Sequence, residues 1–164
     1  MDETIKILIG TLSGFIIAFL AEPVKTFFQN RYKLSNLRIA LYKESMQNRS
    51  ILELLVTKEI GKEDFINIAQ FLLLNNCYKY VLEQEITFFY QLKEARLFNS
   101  AYKTLDKLIN LTTEDIESRW DFVMELAKAY LGVIQDGLDY KTLDKRLLEK
   151  VTSKKEVLNI LKKV

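Results

Sequence analysis

Histidine is absent from this 164-residue sequence, cysteine and proline occur once each, and only five glycines are present. Each scarcity removes a class of chemistry or fold. Without histidine, the side chain that carries most acid–base steps near neutral pH, and the commonest metal ligand, is missing. A lone Cys77 offers neither an internal disulfide nor a thiolate cluster. That excludes structural zinc, suits a reducing compartment and makes Cys77 a small buried hydrophobe. No glycine-rich phosphate loop occurs, and the only evenly spaced glycines, Gly10 and Gly14, lie in an apolar run. Two carboxylate sets remain for magnesium: Glu83 with Glu85, and Glu114, Asp115, Glu117 and Asp121. Glu114, Asp115 and Glu117 read better as the first turn of a helix, where negative charge complements the macrodipole. The expectation is a protein that is not an enzyme, with no catalytic residue, no metal and no cofactor.

What is present begins with the uncharged run ILIGTLSGFIIAFLA, Ile7 to Ala21, bounded by Lys6 and Glu22 and followed by Pro23. With its flanks it approaches the roughly 17 to 25 residues that cross a bilayer as a helix. Asp2 and Glu3 precede it, whereas Lys25, Arg31, Lys33, Arg38 and Lys43 follow it. By the positive-inside rule the expectation is a single-pass anchor in a bacterial inner membrane, amino terminus outside and body in the cytoplasm. The start is acidic and Phe19 occupies a position where a cleavage site needs a small residue, so the anchor is expected to be retained. Phe27, Phe28 and Tyr32, interleaved with basic residues, read as an interfacial collar.

Gly10, Gly14 and Ala18 recur every four residues, and Thr11 and Ser13 widen the same weakly polar surface. Small residues at this spacing let helix backbones approach in lipid, so they mark a helix-association face. A closed ring of such helices would enclose a pore lined by these five residues, with Lys6 and Glu22 at its two rims. The expected partners are copies of the chain itself and the lipid bilayer.

Few turn signals follow, so an all-α protein is expected, an amino-terminal transmembrane helix followed by a cytoplasmic antiparallel helical bundle. The parts are residues 1–23 as anchor, 24–139 as a bundle of four longer helices, and 140–164 as basic helices packed on it. The anchor either continues into the bundle or hinges at Pro23. Ser35 or Asn36 is expected to cap a helix with the stripe Leu37, Ala40, Leu41, Ile51, Leu52 and Leu55, ending near Gly61. Glu44 and Asn48 interrupt that stripe. Placed inside a bundle they act as structural glue or set subunit register, since unpaired each would cost on the order of 1 to 3 kcal/mol.

A second helix is expected from Glu63 through Phe65, Ala69, Leu72, Leu73, Cys77, Tyr80 and Val81. A third runs from Ile86 to Ile109 with a possible kink at Asn99. Thr112, three before Asp115, opens the clearest helix, with Ile116, Trp120, Val123, Ala127, Tyr130 and Ile134 forming a seam that closes at Gly137. Two short helices complete the pattern, Leu143 to Val151 and Val157 to Leu161. Charge is uneven, net +3 over residues 1–43, −6 over 44–139 and +5 over 140–164. RNA binding by the basic tail, Lys141 to Lys163, is disfavoured because aromatic residues do not interleave its lysines, Tyr140 apart.

The order of parts, with AEPVKTFFQNR at the join and LRIALYKESMQN leading into the bundle, resembles the small membrane accessory proteins of type VI-B CRISPR systems. In those a membrane-proximal helix precedes a domain similar to HEPN bundles. The resemblance implies a role in antiviral defence, as an oligomeric pore that depolarises the membrane when a CRISPR nuclease, the trigger and partner, detects foreign RNA. HEPN nucleases place a histidine a few residues after an arginine. Arg119 and Arg146 have none after them, so no catalytic residue is carried over. The competing expectation is a membrane-tethered adaptor whose bundle binds a protein partner without permeabilising the membrane.

Overall fold

A computed structural model describes residues 3–137, with side chains described over residues 21–135, Ile68 excepted. The expectations for residues 140–164, basic helices among them, lie outside the described residues. The described residues are helical, without strands. The chain divides into two compact units, Met1–Asn36 and Leu37–Val164.

Helix α1 runs Glu3–Val56 with Pro23 inside it. The helix neither restarts at Pro23 nor is capped at Ser35 or Asn36. Proline removes one N–H from the ladder without forcing an end, and the helix runs on through it. What ends α1 is Lys58, at φ 61° in the left-handed region, which lets the Glu59 and Ile60 N–H groups both donate to Leu54 O at 2.9 and 3.3 Å.

The expected transmembrane helix is corrected: among the described residues no helix is long and apolar enough to cross a membrane. The uncharged run has 15 residues. At about 1.5 Å per residue it reaches about 22 Å, short of a hydrocarbon core about 30 Å thick. The turns that would have to lengthen it carry Glu22, Lys25 and Arg31, all exposed.

The core of the second unit is built on the stripe of α1 that the periodicity picks out, with Leu37, Leu41, Tyr42, Ile51, Leu52, Leu54 and Leu55 buried. Against it stand two longer helices, α6 (Ala95–Ile109) and α8 (Trp120–Gly137), which pack on each other. Phe98, Ala101, Tyr102 and Leu105 from α6, with Val123, Ala127, Tyr130 and Ile134 from α8, fill the interior at spacings of three and four. Among the described residues, three long helices make the bundle where four were expected.

The remaining elements are short. Residues 62–72 form α2 (Lys62–Asp64), a π-helical turn Phe65–Ala69 and α3 (Gln70–Leu72). Then Leu73 turns extended, φ −69° and ψ 132°, before α4 (Asn76–Gln84) and α5 (Ile86–Phe89). The helix expected over 63–81 is thus broken at 73–75, which re-phases its stripe. Tyr78 and Val81 take the inward positions, and Tyr80 is exposed. The helix expected over 86–109 likewise breaks at 90–94 and passes Asn99 without a kink.

At Thr112 the expected start is found. The Thr112 hydroxyl accepts from the Asp115 N–H at 3.1 Å, and the Asp115 carboxylate accepts from the Thr112 N–H at 3.3 Å, opening α7 (Thr113–Ser118). One residue, Arg119, separates α7 from α8.

Candidate functional site

The polar residues on the inner stripe of α1 were the most unusual feature of the sequence, and the structure brings them together around one segment. Gln47 and Asn48 lie one turn beyond Glu44, so all three share a face. That face meets residues 72–78. The Glu44 carboxylate accepts from the Cys77 N–H at 2.8 Å and from the Tyr78 N–H at 3.2 Å. These are first-turn amides of α4, which have no partner within their own helix. Asn75, at the N-cap position, leaves them uncapped and donates its amide to Asp106 at 2.9 Å instead. A carboxylate from another helix therefore caps α4, where its negative charge also favours the positive end of the helix.

Asn48, fully buried, clamps the break itself: Nδ2 donates to Leu74 O at 2.6 Å and Oδ1 accepts from the Leu74 N–H at 2.7 Å. Gln47 adds a contact from Nε2 to Leu72 O at 3.3 Å. Gln70, also buried, directs Nε2 at the carbonyls of Leu108, Ile109 and Leu111 at 3.1, 3.3 and 2.8 Å. Leu108 and Ile109 close α6 and Leu111 follows it, so Gln70 bonds carbonyls at and just past the helix end.

A second cluster lies nearer the start of the bundle. Arg38 donates to Glu94 Oε1 through Nε at 3.0 Å and through Nη2, and Tyr42 donates its hydroxyl to the same oxygen at 3.1 Å. The guanidinium also sits 5.3 Å from the centre of the Tyr42 ring. Burial, and then the Glu94 charge, push the Tyr42 hydroxyl up to about 12. At neutral pH it keeps its proton and can donate it to Glu94.

No family model, curated protein or solved structure matches the chain.

Function must therefore be argued from these groups. Burial and the nearby Glu44 charge push the Cys77 thiol up to about 12, so it stays protonated and inert as a nucleophile. Among the described residues no three or more acidic, cysteine or histidine side chains gather to hold a metal ion. The interior polar groups bond backbone amides and carbonyls across the break and the helix ends, which fixes structure.

Of the expected site residues, Glu44 and Asn48 are buried and adjacent, and their partners are in this chain. Glu22 is exposed, and its carbonyl accepts from the Thr26 hydroxyl at 2.9 Å. Lys6, Gly10, Thr11, Ser13, Gly14 and Ala18 lie on α1, but their side chains fall outside the described residues. Arg38, Tyr42, Gln70 and Glu94 were missed. Arg38 and Glu94 are 56 residues apart, and nothing local pairs them.

The exterior of the second unit carries a different signal. Phe71, Tyr80, Ile86 and Tyr90 are exposed, Phe71 at 77 % and Tyr90 at 65 %. Tyr80, Ile86 and Tyr90 follow the run of chain held by the Glu44 and Asn48 contacts, and Phe71 lies just before it.

Proposed function

We propose that the chain is a non-catalytic adaptor whose helical bundle binds a protein partner. The observation that supports this reading most is the exposure of Phe71, Tyr80, Ile86 and Tyr90 over one stretch of α3 to α5. Aromatic side chains supply large contact area at low entropic cost and dominate the energetics of protein interfaces. Tyrosine, with one apolar face and one polar tip, is enriched there. Inside the bundle, by contrast, the buried Glu44, Asn48 and Gln70 are engaged by the fold's own backbone.

The pore and depolarisation expectations rested on a membrane-crossing helix, and with that helix corrected they are not carried into this proposal. The antiviral, CRISPR-linked setting rested on architecture alone, and no comparison bears on it.

The test is site-specific photo-crosslinking in the native host. A crosslinking amino acid at Tyr80 or at Tyr90 is expected to trap the same discrete protein, while one at exposed Lys103 of α6 traps none. Tyr80→Ser combined with Ile86→Ser should abolish the product formed from position 90 while leaving the unfolding midpoint unchanged. Identical patterns at all three positions, or no product at either tyrosine, would refute the adaptor reading.

A further inference from the structure

We infer that residues 24–33 of α1 form an in-plane docking face for an anionic lipid surface. This goes beyond the partner-binding reading and stands or falls separately from it.

Every residue from 21 to 33 is exposed. That includes Val24, Phe27, Phe28 at 62 % and Tyr32 at 71 %, a concentration of large apolar side chains that water does not favour. At about 100° per residue, Val24, Phe27, Phe28 and Tyr32 share an arc of about 140°. Glu22, Thr26, Gln29, Asn30 and Lys33 occupy the opposite arc, and Lys25 borders the aromatic one. The segment is thus amphipathic, with aromatic side chains on one face and net positive charge, Lys25, Arg31 and Lys33 against Glu22. Phe27 and Phe28 meet edge to face, centroids 5.8 Å apart, and present one continuous apolar ridge.

Arg31 decides between occupants. It falls inside the aromatic arc, between Phe27 and Val24, while the nearest carboxylate in sequence, Glu22, is on the other side of the helix. A second copy packed on this face would bury Arg31 where this segment provides no carboxylate, which disfavours that arrangement. At a lipid surface the same arginine extends along the rings and reaches phosphate, as long basic side chains do at interfaces. Lipid also accepts what precedes the segment, the uncharged run Ile7–Ala21. Aromatic rings settle at headgroup depth, and each basic residue near an anionic surface adds to the attraction. The helix lies in the surface, its ridge at the headgroup and acyl boundary. It need not cross.

The experiment is flotation of the full chain with vesicles of phosphatidylcholine containing one quarter phosphatidylglycerol, beside vesicles of phosphatidylcholine alone. The chain is expected to float with the anionic vesicles, less with the neutral ones, and to be released in part at about 0.5 M salt, where screening shortens to a few ångströms. Phe27→Ser combined with Phe28→Ser should weaken binding about tenfold or more, and Arg31→Gln should weaken binding to anionic vesicles more than to neutral ones. Both variants change exposed positions, so the unfolding midpoint of the bundle should not move. Equal binding by the double variant, equal binding to both vesicle types, or no binding at all would overturn the inference. So would a lipid-free oligomer that dissociates when Phe27 and Phe28 are replaced, because a second copy would then cover the face.

Discussion

Replacing Asn48 by alanine tests whether the break at 73–75 is held by one side chain. In the native chain the Asn48 amide gives Leu74 O its donor at 2.6 Å and Leu74 N–H its acceptor at 2.7 Å. Alanine removes both and leaves two backbone groups unpaired. A buried group without a partner costs about 1 to 3 kcal/mol. Leu74 is itself half-buried, so water recovers part of the loss, and the lower half of that range applies to each group. The expected destabilisation is about 2 to 4 kcal/mol, a large share of the roughly 5 to 15 kcal/mol available to a domain. Urea unfolding of the full chain reads this as a fall in midpoint at constant slope. Lys103→Ala, exposed on α6, is the control and should stay within about 0.5 kcal/mol. Amide exchange adds a local reading, since the Leu74 N–H should lose protection first. A loss below about 1 kcal/mol with Leu74 protection unchanged would refute the clamp.

Three further outcomes are expected. Thr112→Ala removes the acceptor for the Asp115 N–H and should cost about 1 kcal/mol in the same urea assay. Lys58→Gly should stabilise the chain by about 0.5 to 1 kcal/mol, because a φ of 61° is strained for lysine and free for glycine. Stability should fall as pH rises from about 9 to about 12. The Cys77 thiol and Tyr42 hydroxyl hold their protons up to about 12 when folded, against ordinary values of 9.0 and 10.0, so the unfolded chain binds fewer protons across that window. Circular dichroism across the range checks it, and Cys77→Ala should reduce the slope at its lower end.

How much of this was legible in the sequence depends on whether the signal was local. The seam of α8 and the Thr112 box were readable because three- and four-residue spacings and a cap pair act within one or two turns. Glu44 and Asn48 were readable as anomalies, polar residues on an apolar stripe, although their partners were not. Those partners are backbone groups 26 to 34 residues away, which no side-chain pattern announces. The break at 73–75 was missed because Leu72 to Val81 continues a plausible helical stripe. The adjacent Asn75 and Asn76 were the available hint, since asparagine competes for backbone hydrogen bonds and favours turns. At Pro23 both a continuous helix and a hinge were open, and the helix runs through it.

The clamp also bears on how the bundle would recognise a partner. Tyr80 and Ile86 stand on α4 and α5, which are short helices that would fray if left to their own hydrogen bonds. Four ties hold them instead. Glu44 caps α4, Asn48 fixes the chain before it, and Asn75 reaches Asp106 at 2.9 Å. The Tyr78 hydroxyl donates to Asn99 at 2.7 Å while its ring stacks on Tyr102 at 4.4 Å. Every tie runs from α4 or the two residues before it to α1 or α6, and α5 joins α4 through the Phe89 ring against Tyr78, so the long helices behind set the surface that carries Tyr80. Binding to such a surface loses less conformational entropy than binding to a frayed one. The buried polar residues and the exposed aromatic ones are thus two halves of one arrangement. Disturbing Asn48 should weaken an interaction at Tyr80 without touching it, whereas disturbing Tyr80 should leave the clamp intact.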